Sequence, residues 1–83
     1  MVGENSVVRI IIKFSDPKAN PADAKFLEAL SRDAGATLVY LHPASGSAHV
    51  FEVRTPDLQA VLQRLTRQSG VIYAEEDRVK RKQ

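Results

Sequence analysis

Short β-rich stretches and helix-periodic stretches alternate along the chain. Val7–Phe14 is the densest: Val8, Ile10, Ile12 and Phe14 make one wholly apolar face, and Val7, Arg9, Ile11 and Lys13 a mixed one. That is the pattern of a strand covered on one side. Asn20-Pro21-Ala22-Asp23 reads as a helix start, with Asn20 as N-cap, Pro21 in the first turn and an acid behind it. Phe26, Leu27, Leu30 and Ala34 follow at helical spacing, and Gly35 stops the helix. Ala36–His42 predicts a second strand, Pro43–Ser47 a turn, and Ala48–Arg54 a third strand antiparallel to the second. Thr55-Pro56-Asp57 repeats the helix-start device, with Thr55 as N-cap. Leu58, Val61, Leu62 and Leu65 then fit i, i+3, i+4, i+7, and Ser69-Gly70 closes the helix. Val71–Glu76 is the fourth strand.

The order β-α-β-β-α-β is the split-βαβ pattern. Right-handed crossovers then place both helices on one face of a four-stranded antiparallel sheet of order 4-1-3-2. The expected fold is α+β and ferredoxin-like, one domain over residues 1–83, with a flexible N-terminus (1–6) and an extended C-terminal tail (78–83). The sheet face away from the helices is open. It is expected to show Val7, Arg9, Ile11, Lys13, Val50, Glu52, Tyr73 and Glu75, a half-apolar set unusual for a surface meant only for water.

Composition narrows the rest. At 83 residues, stability is several kcal/mol, at roughly 0.05–0.15 kcal/mol per residue. There is no cysteine, hence neither a disulfide nor a thiolate metal site. The net charge of +2 is too balanced to imply nucleic acid, although four of the last six residues are basic. The run Val7–Phe14 is too short and too charged for a membrane span or a signal core.

Candidate chemistry gathers at the end of the chain. In Val71-Ile72-Tyr73-Ala74-Glu75-Glu76-Asp77, Glu75 and Asp77 share a face, about 6.5–7 Å apart in a strand, and Glu76 takes the other. Packed helices lie roughly 8–10 Å apart, so these two carboxylates suit two adjacent helix N-termini of a partner, with Asn20 and Thr55 capping the domain's own. His42 and His49, expected to face each other across the hairpin, lack an acid beside them and make a poor metal site. No Gly-x-Ser-x-Gly or His-Glu-x-x-His run and no cysteine nucleophile is present. No enzyme activity, cofactor or metal is expected.

The terminal run, with the leucine-bearing helix before it, the opening strand ending in Lys13-Phe14 and the glycine after the first helix, resembles the subtilisin propeptide and related proteinase inhibitors. Ala74 stands where that family commonly has valine. Lys80 stands where its tails carry an apolar residue. The resemblance implies a domain that binds a subtilisin-like serine protease through its open sheet face (Val7, Ile11, Val50 and Tyr73), with Glu75 and Asp77 capping two protease helices. The tail, Arg78, Val79, Lys80, Arg81, Lys82 and Gln83, would lie in the substrate cleft. Such a domain inhibits its protease, assists its folding, or does both, and is a monomer when free. A propeptide would be secreted; a free-standing inhibitor would be cytoplasmic. The alternatives are single-stranded nucleic-acid binding and small-ligand regulation on the same topology. The third strand lacks the basic-aromatic run of an RNA-binding sheet.

Overall fold

The computed structural model describes residues 7–44 and 46–77; the expectations for 1–6 and for the tail 78–83 lie outside them. Six elements follow in order: β1 (Val7–Phe14), α1 (Ala24–Ala34), β2 (Leu38–Pro43), β3 (Ala48–Arg54), α2 (Leu58–Thr66) and β4 (Val71–Glu76). All strand pairs are antiparallel and the sheet order is β2-β3-β1-β4, the ferredoxin-like arrangement that the element order predicts.

The core joins one sheet face to both helices. Ile10, Ile12 and Phe14 of β1 and Phe51 and Val53 of β3 pack with Leu38, with Leu30 and Ala34 of α1, and with Val61 and Leu65 of α2. Phe14 meets Phe26 edge-on, ring centroids 5.4 Å apart and planes at 81°, a favourable quadrupolar geometry.

The helix starts differ from the expected ones. Asp23, not Asn20, is the N-cap of α1, its carboxylate accepting from the Phe26 N–H at 3.1 Å. Asn20 instead accepts from the Ala22 N–H through its side chain and from the Asp23 N–H through its carbonyl. Pro21, fully buried, is held in that turn and not in the helix. Likewise Asp57 caps α2 by accepting from the Ala60 N–H at 3.2 Å, while the Thr55 hydroxyl accepts from the Asp57 N–H. In both places the residue before proline makes a side-chain turn, and the acid behind it caps.

Gly35 ends α1 at φ +75°, as its sequence position predicts. The Gly35 and Ala36 N–H groups both donate back to the Ser31 carbonyl, and the Leu38 N–H donates to the Ser31 hydroxyl. This closure consumes Ala36 and Thr37, so β2 begins two residues later than expected. The second helix stops at Thr66 and not at Ser69-Gly70. Gly70 lies outside the left-handed region and belongs to a turn in which Val71 N–H donates to the Gln68 carbonyl. The Gly70 carbonyl accepts from Ser15 N–H at 3.0 Å, tying that turn to the end of β1.

Two pairings skip a residue. Tyr40 faces Phe51 and His42 faces Val50, leaving Leu41 extra in β2. Lys13 faces Tyr73 and Phe14 faces Val71, leaving Ile72 extra in β4, 53% exposed. Such bulges bend a strand and reset its alternation.

Candidate functional site

Strand register arranges the open face in rows. Val39, Glu52 and Arg9 stand side by side on β2, β3 and β1. Asp77 extends the row, its N–H donating to the Arg9 carbonyl at 2.9 Å. The next row is His42, Val50, Ile11 and Glu75, and the third is Ala48, Lys13 and Tyr73. Val7, opposite Arg54, lies beyond the first row. The residues between them, Ile10, Ile12, Phe51 and Val53, point into the helix-covered core.

Glu75 and Asp77 share this face, as the period of two predicts, because both follow the bulge at Ile72. Glu76 pairs with Ile10 and takes the other side. No side-chain hydrogen bond or ion pair joins Glu75 or Asp77 to another described residue. The domain's own helix starts, capped by Asp23 and Asp57, do not use them.

Of the expected docking residues, Val7 is 49% exposed, Tyr73 is 37% exposed and Ile11 is half-buried. Val50 belongs to the open face by register but is only 3% exposed, as is Ala48. Neither joins the core cluster. These two form the floor of the face and offer a partner little area of their own. Val39, 49% exposed, and His42 also belong to the face. The bulge at Leu41 places His42 there, and the sequence reading overlooked both. The signal for Val39 was its phase relative to Leu38 in the core.

The two histidines do not meet. His42 is on the open face opposite Val50, its Nδ1 2.9 Å from the Pro43 carbonyl. His49 is on the helix side, its ring 5.9 Å from Phe14 and 5.6 Å from Tyr40. The Tyr40 hydroxyl and His49 Nδ1 are hydrogen-bonded at 3.2 Å. Burial pushes the His49 pKa below its ordinary 6.5. Among the described residues no group of three or more His, Cys, Asp or Glu side chains is placed to hold a metal.

Phe51 is fully buried against the helices and Tyr40 packs edge-on to it at 5.5 Å. Tyr73 is the one phenylalanine, tyrosine or tryptophan that the described strands present on the open face. No family model, curated protein or solved structure matches this chain.

Proposed function

We propose that this domain docks its open sheet face on a subtilisin-like serine protease, and inhibits the protease or assists its folding. One observation carries the reading. Glu75 and Asp77 project from an edge strand on the side of a half-apolar sheet face, without partners among the described residues, while Asp23 and Asp57 already serve the domain's own helices. Two carboxylates about 6.5–7 Å apart suit two helix N-termini packed roughly 8–10 Å apart. Docking there removes Val7, Val39 and Tyr73 from water. The residues after Asp77 then continue as an extended segment into the substrate cleft, where six residues span about 20 Å and bind by main-chain pairing.

The same face is poorly suited to stacking bases. Its rings among the described strands are Tyr73 and the His42 imidazole, without the basic-aromatic run of a base-stacking sheet, and Glu52, Glu75 and Asp77 repel phosphate.

The test is the double variant Glu75→Gln/Asp77→Asn, measured by inhibition of a subtilisin that the parent chain inhibits. Binding is expected to weaken by about 1–4 kcal/mol, at ~0.5–2 kcal/mol per lost cap. The urea midpoint of the free domain stays where it was. Parent-like inhibition by the double variant would remove the basis of the reading.

A further inference from the structure

The two cations of β1 that reach the open face have different surroundings. Arg9 stands between Glu52 on β3 and Asp77 next to it on the β4 side, an acid on each flank. Lys13 stands between Ala48 and Tyr73, neither of them charged. It is half-buried, and no ion pair joins it to a described residue. The nearest acid on its face by register is Glu75, opposite Ile11, on the diagonal from Lys13 and about 7–8 Å away by sheet geometry.

We infer that Lys13 is a specificity residue of the docking face, and that the protease partner presents a carboxylate opposite it. The inference rests on the docking reading above. Once Glu75 is committed to a partner helix start, Lys13 loses the one acid within its reach on the sheet. A lysine already half-buried then goes under a partner with no counter-charge of its own. An ammonium in that position weakens association unless the partner supplies an acceptor for it. Arg9 makes no such demand, because Glu52, directly opposite it on β3, remains beside it even when Asp77 is committed to a partner helix start. The partner surface is therefore asymmetric: two helix N-termini over the β4 edge, and an acid over the end of β1 that carries Lys13.

The experiment follows binding kinetics on immobilised subtilisin whose catalytic serine is replaced by alanine, at low and physiological salt, for the parent chain and for Lys13→Met, Lys13→Glu and Lys25→Met. Lys25 is exposed on α1, away from the sheet, so its variant removes the same unit of charge without touching the face. Loss of a desolvated charge pair acts on dissociation, and loss of long-range attraction on association. Lys13→Met is expected to speed dissociation about 10-fold and Lys13→Glu about 100-fold, with Lys25→Met within about twofold of the parent. Far-ultraviolet circular dichroism checks that all four are folded. Dissociation unchanged in both Lys13 variants, or changed equally by Lys25→Met, overturns the assignment of Lys13 and leaves the docking reading intact. Failure of the parent chain to bind overturns the docking reading and the Lys13 assignment with it.

Discussion

His49 shows how one side chain ties stability to pH. Its ring lies beside Phe14 and Tyr40, where desolvation disfavours the imidazolium and lowers its pKa from 6.5. A lowered value means that the unfolded chain takes up the proton first. Stability is therefore full above about pH 6.5 and declines as pH falls below it, levelling off once the lowered folded-state value is passed. Urea midpoints at pH 7.5 and 5.5 check this. The parent is expected to lose stability over that interval, and His49→Gln to lose less. An equal loss in both would assign the effect to other groups. His42, exposed on the opposite face, makes no comparable contact with the core. The histidine pair expected from sequence was wrong for a physical reason: one extra residue at Leu41 moves His42 to the other side of the sheet from His49.

At the scale of the elements, the helix caps invite a direct comparison. Asp23→Ala removes the acceptor for the Phe26 N–H and is expected to cost about 0.5–2 kcal/mol. Asn20→Ala removes only the turn contact to Ala22 and is expected to cost about 1 kcal/mol or less, one solvent-exposed hydrogen bond. Thermal melts of the two variants give the order; a larger loss for Asn20→Ala would return the cap to the position the sequence suggested. That ambiguity was inherent in the sequence. Asn20 and Asp23 are both good cap residues three positions apart, and the choice was made by burial of Pro21, a tertiary fact. The dense β-branched run of β1, the hairpin strand β3 and the Gly35 stop were legible because each rests on local propensity or a required positive φ. The bulges at Leu41 and Ile72 were not, since a six-residue strand offers too few positions for a change of phase to stand out. Glu75 and Asp77 were legible as a pair because the phase change falls before both of them. Val39 and His42 escaped because β2 changes phase in its middle.

For the whole molecule, the fold separates the core that holds the domain together from the sheet face that it leaves open. Among the described residues, every member of the buried cluster lies between Ile10 and Leu65, and the rows of the open face run as far as Asp77. The chain without Arg78, Val79, Lys80, Arg81, Lys82 and Gln83 keeps every one of those described residues, and it is expected to keep its circular dichroism and its urea midpoint. Its effect on a protease is different. In the proposed arrangement the sheet face and the tail are two linked binding modules, and joining such modules raises affinity by about 10²–10⁴-fold over either alone. The truncated chain is expected to lose inhibition by a factor in that range while still binding through its face. Ile11→Glu does the reverse: it leaves the tail present but puts an unpaired charge into the dry centre of the contact. Inhibition constants for the two variants, alongside direct binding to subtilisin, distinguish the modules. Loss of binding in Ile11→Glu together with retained weak binding in the truncated chain supports docking by the face first. Undiminished inhibition by the truncated chain would mean that the tail does not occupy the cleft, and that the sheet face alone blocks the protease.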